Sequence, residues 1–410
     1  MVPSGWERTS FGLLAEFRNG LNFTKADQGE AIKIVGVADF KDHSSLSSLG
    51  NLGVISVSNT VKDNDLIKSG DVLYVRSNGN KDLIGRCLFF PEVTEKLSFS
   101  GFTIRGRVTS KAILPNYLAL LSRSEIVKQQ FSKNGGGTNI SNLSQQILND
   151  VVVPLPSIEE QRKIAETLST WDKAITTTEK LIEASKQQKK ALMQQLLTGK
   201  KRLMNPETGK AFDDEWEYVR AGNVFLTRSN KKHNSDLPIL AITQDQGAVP
   251  RELIDYKVSV TDDSISGYKV VEQGDFIISL RSFQGGIEYS RYKGICSPAY
   301  VILYPKLELV DGFYKYHLKS HPFIQAMKSR LEGIRDGKII SYKYFSEIKL
   351  PRPSLEEQQK IASVLTTADK EIEVLETKLA HLKQEKKALM QQLLTGKRRV
   401  KVNLDMEIAI

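Results

Sequence analysis

Two long stretches of the chain place an apolar residue alternately three and four positions apart. This heptad spacing is typical of a coiled coil and predicts two helices of about forty residues each. Surface helices packed only on their own domains are the alternative, but such helices usually run about eight to twenty residues. The predicted coiled-coil seam consists of Ile164, Leu168, Trp171, Ile175, Ile182, Leu192 and Leu196 in the first stretch, and Ile361, Leu365, Ile372, Leu375, Leu379, Leu382, Leu389 and Leu393 in the second.

Both ends of each predicted helix carry local signals. A Pro-x-Pro pair before each helix, at 154–156 and 351–353, ends the preceding extended run because proline has no amide donor. Ser157 with Glu160, and Ser354 with Glu357, form the spacing of a capping box. A glycine follows the last apolar residue of each helix, where a left-handed cap is expected.

The two helical stretches are copies of each other. Residues 154–200 and 351–397 align without a gap at an offset of 197, with 29 identities in 47 positions. The segment KKALMQQLLTGK recurs unchanged. Chance does not produce such a match, so the chain is an internal duplication whose repeated unit is nearly half its length.

Outside the helices the two halves share only weak similarities. Trp6-Glu7 matches Trp216-Glu217, and Arg76-Ser77 matches Arg281-Ser282. Short β-rich runs between Gly, Asn and Asp turns predict mixed α/β domains, with a helix over 117–131 and another over 313–327. The predicted organisation is a globular domain at 1–153, a helix at 154–203, a linker at 204–215, a second globular domain at 216–350, a second helix at 351–400 and a tail at 401–410.

Chain direction predicts how the helices run. The linker between the first helix and the second globular domain is short, and a helix of forty residues is roughly 60 Å long. A compact domain of this size cannot return the chain along such a rod. We therefore expect an α/β protein with two similar mixed α/β domains separated by a long antiparallel two-helix coiled coil, with pseudo-two-fold symmetry.

Composition narrows the class of protein. The chain has 410 residues, 40% of them apolar, and a net charge of +10. Two cysteines far apart rule out a disulfide framework, and no apolar run is long enough for a membrane span. These features predict a soluble cytoplasmic protein. The helical segments 157–203 and 354–401 carry +4 and +3 of the charge, with basic clusters at 200–202 and 397–399.

No catalytic motif stands out. The sequence has no Walker loop, no GxGxxG and no Asn-Pro-Pro-aromatic motif. The nuclease-like triplet at 347–349 recurs by chance on the lysine-rich helices. His317 and His321 could share a metal on one helix, but no third ligand is near, so a pair on the helix surface is the preferred interpretation. Cys87 and Cys296 are interpreted as small core residues.

Basic and amide side chains collect in loop-like stretches of both globular domains. Arg, Asn and Gln read base edges, while Lys, Ser, Thr and backbone amides hold phosphates. Each stretch alone is more often a solvated turn. The candidate DNA-binding residues are Arg76, Ser77, Asn78, Asn80, Lys81, Gly136, Thr138, Asn139, Arg228, Lys231, Lys232, Arg281, Ser282, Gln284, Arg335 and Lys338.

These features together resemble a known family. Two divergent globular domains, each followed by Pro-x-Pro-Ser-[Ile/Leu]-Glu-Glu-Gln-x-Lys-Ile-Ala and a long helix ending in Leu-Met-Gln-Gln-Leu-Leu-Thr-Gly-Lys, closely resemble the specificity subunit of type I restriction–modification systems. The resemblance covers the whole layout of the chain. It implies that the globular parts are target recognition domains, each reading one half of a bipartite site in double-stranded DNA.

The resemblance also implies partners and a division of labour. Two modification (methyltransferase) subunits would dock on the helices, and restriction subunits would supply translocation and the nuclease. S-adenosylmethionine, ATP and Mg would then bind to those partner subunits, with no cofactor, metal or catalytic residue in this chain and no membrane association. The alternatives are a structural coiled-coil adaptor with two protein-binding end domains, and an enzyme with an unrecognised nuclease or methyltransferase site.

Overall fold

A computed structural model describes residues 2–24, 28–40, 44–46, 50–57, 61–134, 142–233, 236–254, 265–329 and 341–402. The chain forms two compact units. Unit 1 comprises residues 1–178 together with 378–410, and unit 2 comprises residues 179–377. Each unit combines small, mainly antiparallel sheets with helices, as expected for a mixed α/β protein.

Unit 1 is built on a four-stranded antiparallel sheet in the order β2-β8-β5-β6. A second sheet has the order β4-β3-β7, in which β3 and β7 are parallel, and β1 pairs with β9. The elements are β1 (Glu7–Ser10), α1 (Phe11–Leu14), β2 (Ala15–Asn19), β3 (Glu30–Val35), β4 (Gly53–Val57), β5 (Val72–Val75), β6 (Cys87–Phe89), β7 (Leu97–Phe99), β8 (Thr103–Val108), α2 (Pro115–Ser122), α3 (Glu125–Asn134), α4 (Gln145–Asn149), β9 (Val152–Leu155) and the first part of α5 (Ile158–Leu196).

Unit 2 repeats this plan. Its four-stranded antiparallel sheet has the order β11-β18-β15-β16, and β10 pairs with β19. Two further pairs, β12-β13 and β14-β17, complete its sheets. The elements are β10 (Glu217–Arg220), α6 (Ala221–Val224), β11 (Phe225–Arg228), β12 (Leu240–Thr243), β13 (Gly247–Pro250), β14 (Lys269–Val271), β15 (Phe276–Ile278), α7 (Ser282–Gly285), β16 (Glu288–Tyr289), β17 (Gly294–Cys296), β18 (Val301–Pro305), α8 (Asp311–His317), α9 (His321–Lys328), α10 (Tyr342–Ser346), β19 (Lys349–Arg352) and α11 (Leu355–Leu393).

The predicted helices over 117–131 and 313–327 are each two helices instead of one. In unit 1, α2 ends at Ser122 and α3 begins at Glu125, and in unit 2 the break falls between His317 and His321. Ser320 caps the new helix by accepting a hydrogen bond from the Phe323 amide (3.4 Å). The apolar spacing continues across the break, which is why the pattern alone indicates one helix.

The long helices run antiparallel within each unit. In unit 1, Lys386 pairs with Asp172. In unit 2, Lys186 Nζ lies 2.6 Å from Glu376 Oε1. Every predicted seam residue is buried or half-buried, and Leu168 and Leu365 are fully buried. The heptad pattern therefore identifies the packed side of both helices, and the predicted fold class is confirmed.

A buried glutamate near the start of each long helix is held by an arginine and a tryptophan. In unit 1, Arg399 donates to both oxygens of Glu160 (2.5 and 2.8 Å), and Trp6 Nε1 donates to Oε2 (3.1 Å). We call this set the Glu160 clasp. It joins the end of the second helical segment and the residue just before β1 to the start of α5.

Unit 2 contains the same arrangement, the Glu357 clasp. Arg202 donates to both oxygens of Glu357 (2.6 and 2.8 Å), and Trp216 Nε1 donates to Oε2 (2.8 Å). The guanidinium lies 5.7 Å from the centre of the Trp216 ring, within the range of a cation–π contact. The short match between Trp6-Glu7 and Trp216-Glu217 thus marks equivalent structural positions.

The predicted capping boxes form only in part. The Glu160 and Glu357 amides each donate to the serine hydroxyl three residues earlier, Ser157 or Ser354, at 3.3 Å. The glutamate side chains bind the clasp arginines and tryptophans, so the carboxylates serve tertiary packing. At the other ends, Gly199 and Gly396 adopt φ values of 70° and 68°, as expected for left-handed caps.

The interpretation of His317 and His321 as a surface pair is wrong. His317 is 8% exposed, stacked on Phe313, and lies on α8, whereas His321 is exposed at the start of α9. Burial lowers the pKa of His317 to about 4, an effect that a hydrogen bond with the Leu197 backbone opposes. In unit 1 the equivalent position, 197 residues earlier, is Leu120.

Both cysteines are buried, as predicted for core residues. Across the described ranges, none of the helices combines the length and the apolar character that crossing a bilayer requires.

Candidate nucleic-acid interface

The first candidate loop of unit 1 leaves the buried strand β5. The Arg76 amide donates to the Phe102 carbonyl (2.8 Å), and the Arg76 carbonyl accepts from the Leu143 amide (2.8 Å). Arg76 and Ser77 are half-buried. The backbone of this loop is therefore held from two sides, which positions its side chains without a helix or strand of its own.

The rest of this loop is ordered by its asparagines. Asn78 Oδ1 accepts from the Asn80 amide (2.8 Å), and Asn80 Oδ1 accepts from the Asp82 amide (3.0 Å), which caps a short 3-10 helix over Lys81–Leu83. Asn80 and Lys81 are exposed. The oxygens of both amides serve the turn, so their NH₂ groups and the Lys81 ammonium are the groups suited to bind acceptors on DNA.

A tight turn presents an exposed aromatic ring next to this loop. Thr103 donates to the Ser100 carbonyl through both its amide (2.9 Å) and its hydroxyl (2.7 Å), and the Gly101 amide donates to Leu21. Phe102, at the tip, is 64% exposed. Phe102 is not among the residues predicted from the sequence, although a Gly-Phe pair between two short strands is a usable signal.

Unit 2 has the equivalent turn with a different tip. The Tyr300 amide donates to the Ser297 carbonyl (3.1 Å), as Thr103 does to Ser100. The residue at the place of Phe102 is Ala299, which is exposed. The two units therefore share the turn and differ in the side chain that it presents.

The candidate loop of unit 2 that begins at Arg281 contains the short helix α7. Arg281 and Gln284 are exposed, whereas Ser282 is buried and its hydroxyl accepts from the Ser279 amide (2.8 Å). Ser282 therefore supports the loop from inside, and Arg281 and Gln284 are polar side chains of this loop that reach solvent.

Arg228 lies in a pocket of side chains. Its Nη2 is 3.0 Å from Asp275 Oδ1, and its guanidinium lies 4.6 Å from the centre of the Tyr304 ring. Burial raises the pKa of Asp275 to about 6, and the charge of Arg228 opposes this rise. Arg228 is thus engaged within unit 2, while Lys231 and Lys232, just after β11, are exposed.

A comparable pair exists in unit 1. Arg107 donates to both oxygens of the buried Asp71 (2.8 and 2.7 Å). Asp71 and Asp275 each follow a glycine with positive φ, Gly70 and Gly274. The aspartate position is thus shared by the two units, whereas its arginine comes from β8 in unit 1 and from β11, the equivalent of β2, in unit 2. The remaining candidates, Gly136, Thr138, Asn139, Arg335 and Lys338, lie outside the described residues.

The sequence model of a protein family, the type I restriction modification DNA specificity domain, matches the chain twice, over residues 3–187 and 213–384. The chain is 28% identical to the putative type I restriction enzyme MjaX specificity subunit of Methanocaldococcus jannaschii, over 98% of this chain and 95% of that protein. It is 30% identical to the MjaVIII specificity subunit of the same organism, over 67% of this chain and 69% of the relative.

A solved structure from a study of complex assembly and conformational transition of the type I R-M system has the same fold. It superposes with a TM-score of 0.62 at 20% identity, covering 97% of this chain and all of that chain. The chain belongs to the family of type I restriction modification DNA specificity domains and carries two of them. It is a specificity subunit, the component that recognises DNA in a type I restriction enzyme.

Proposed function

We propose that the chain recognises a bipartite DNA site, with unit 1 reading one half-site and unit 2 the other. The observation that supports this proposal is the pairing of a repeated framework with different loops. Both units repeat the four-stranded sheet, the clasp and the buried aspartate after a glycine, but the exposed tip is Phe102 in one and Ala299 in the other. Binding two linked half-sites raises the combined affinity because the second event is intramolecular.

We further propose that two modification subunits dock on the helical segments, because the repeated segments of the two helices offer the same surface to identical partners. Restriction subunits would join this complex in the cytoplasm. S-adenosylmethionine, ATP and Mg would bind to these partners. The globular domains carry little net charge, so the free chain should hold DNA weakly and depend on its partners for tight binding.

The test is selection of a DNA sequence. The purified chain is mixed with the modification subunit of its system and a pool of randomised duplexes, and bound DNA is sequenced. We expect a split sequence with a gap of fixed length. Selection of no sequence would favour a structural adaptor, and methyl transfer by the chain alone would favour an enzyme.

Arginine substitutions should act on one half-site each. Arg76→Ala is expected to relax base preference in the half-site read by unit 1, and Arg281→Ala in the other, with a loss of about 1–3 kcal/mol at the affected base pair. The measurement is binding of the complex to the selected site and to its single-base variants. Equal effects of either substitution on both half-sites would contradict the assignment.

Phe102 is expected to contribute an apolar contact with bases of the first half-site. In the major groove an apolar side chain can pack against base edges such as the thymine methyl group. Burying a side chain of this size contributes about 1.5–3 kcal/mol, so Phe102→Ala should weaken binding of that half-site about ten-fold or more. Leu13→Ala is the control, since Leu13 is 72% exposed in the same unit. The same loss with Leu13→Ala would show that Phe102 has no special role.

A further inference from the structure

Each unit contains a cavity whose floor is the same segment of the repeated helix. The cavity in unit 1 has a volume of about 530 Å³ and that in unit 2 about 840 Å³. We call them the lysine pockets. Their floors are Lys383, Lys386, Lys387, Met390 and Gln391 in unit 1, and Lys186, Lys189, Lys190, Met193 and Gln194 in unit 2, identical residue for residue at the offset of 197.

Packing does not explain this identity. Lys190 and Lys387 are exposed, as are Gln194 and Gln391, and exposed positions tolerate substitution with little effect on stability. In the middle of the same helices, residues 174–185 and 371–382 keep only two of twelve positions in common. The copies have diverged in this middle part, whereas the segments that form the pocket floors have stayed alike.

The walls of the two pockets differ. The pocket in unit 1 is lined by Arg86, Arg123 and Lys128, with Glu125 as its one carboxylate among the lining residues. The wall in unit 2 includes Lys319 and His321 and three carboxylates. Both linings keep an excess of positive charge, and the excess is larger in unit 1. The constant floor and variable walls indicate one ligand feature recognised in both units.

The floors have a common electrostatic design. Lys386 pairs with Asp172 in unit 1, and Lys189 pairs with Asp369 in unit 2. These pairs hold the middle lysine of each floor against the neighbouring helix. Lys387 and Lys190 are exposed, and each lines its pocket together with the flexible apolar side chain of Met390 or Met193.

From this geometry we infer that each lysine pocket binds the same acidic segment of a protein partner, one copy in each unit. Its carboxylates meet the exposed lysines, and an apolar side chain covers the methionine. Double-stranded DNA is rigid and has a convex surface, which does not fit into a concave cavity of this size. A few side chains of a protein segment do fit. The inference rests on the proposed docking of modification subunits and assigns where on each helix the partner is held.

Charge reversal at the two equivalent lysines tests the inference. Lys190→Glu and Lys387→Glu each change one pocket floor. Lys180→Glu and Lys378→Glu are matched controls, since both residues are exposed on the same helices in the divergent middle. The full-length chain is titrated with the modification subunit of its system by calorimetry. We expect each pocket variant to lose about ten- to a hundred-fold in affinity in one of two binding events, the double variant to lose both, and the controls to bind like the wild type.

Unchanged binding by the double variant would overturn the inference and leave docking elsewhere on the helices intact. Failure of the wild-type chain to bind the modification subunit would instead count against the proposed function itself. The free variants are also titrated with a random duplex. A loss confined to that titration would identify the pockets as DNA phosphate sites and overturn the inference. Circular dichroism and thermal melting establish that every variant is folded.

Discussion

Arg202→Ala is expected to lower the free energy of unfolding of unit 2 by about 3–5 kcal/mol, because it leaves a buried carboxylate without its counter-charge. Glu357 is 1% exposed at its side chain and Arg202 is 22% exposed. Without the guanidinium, Glu357 would keep the Trp216 N–H and lose both arginine hydrogen bonds. The equivalent Arg399 is 46% exposed, so Arg399→Ala in unit 1 should cost less.

Urea unfolding followed by circular dichroism measures this effect, with Lys201→Ala as the control. Lys201 is the exposed neighbour of Arg202 and changes the net charge equally. The double variant Arg202→Met with Glu357→Gln should recover much of the loss, since it removes the unpaired charge. A similar loss from Lys201→Ala, or no recovery in the double variant, would show that the ion pair is not the cause.

Acidification should destabilise unit 2 through His317. The pKa of this histidine is about 4 in the folded chain and about 6.5 when unfolded, so the unfolded chain takes up the proton first as the pH falls. The contribution of the buried neutral His317 to the free energy of unfolding is fully present above about pH 6.5 and declines as the pH falls toward 4. Between pH 7 and 4.5 the expected loss is about 2–3 kcal/mol, at about 1.4 kcal/mol per pKa unit.

His317→Leu should remove this part of the pH dependence. Leucine is the residue at the equivalent position of unit 1, where Leu120 is buried, so the side chain suits the framework. Urea unfolding at a series of pH values compares the variant with the wild type and with His381→Gln, which changes an exposed histidine of α11. If the His317→Leu curve had the same slope as the other two, burial of His317 would not control the acid response.

The features that the sequence predicted well are periodic or repeated. The heptad spacing identified the packed side of both long helices, because one helix face repeats every three or four residues and needs no knowledge of the partner. The offset of 197 revealed the duplication, and even the two-residue match at Trp6 and Trp216 marked equivalent clasp positions. Short strands such as Val72–Val75 also follow the predicted β-rich runs.

The features that could not be predicted from the sequence depend on contacts between residues far apart in the chain. Arg202 looks like one of three basic residues after a helix, and only the fold brings it to Glu357, 155 positions away. Arg228 looks like a loop arginine, but Asp275 binds it inside unit 2. The division of the Tyr117 region into two helices and the burial of His317 likewise follow from tertiary packing, which the local spacing of apolar residues does not reveal.

Unit 1 is made of two pieces of chain that are synthesised far apart in time. Its hydrophobic core includes Leu393 and Leu394 next to Ile164 and Leu168, and residues 378–402 follow the whole of unit 2 in the chain. Unit 2 is contiguous. Domains generally fold from the N-terminus onward during synthesis. Here unit 2 is expected to fold before unit 1 is complete, because part of the unit 1 core is exposed until the end of α11 has left the ribosome. A chain that stops before residue 378 would therefore lack part of its first domain, although the missing residues follow the second domain in the chain.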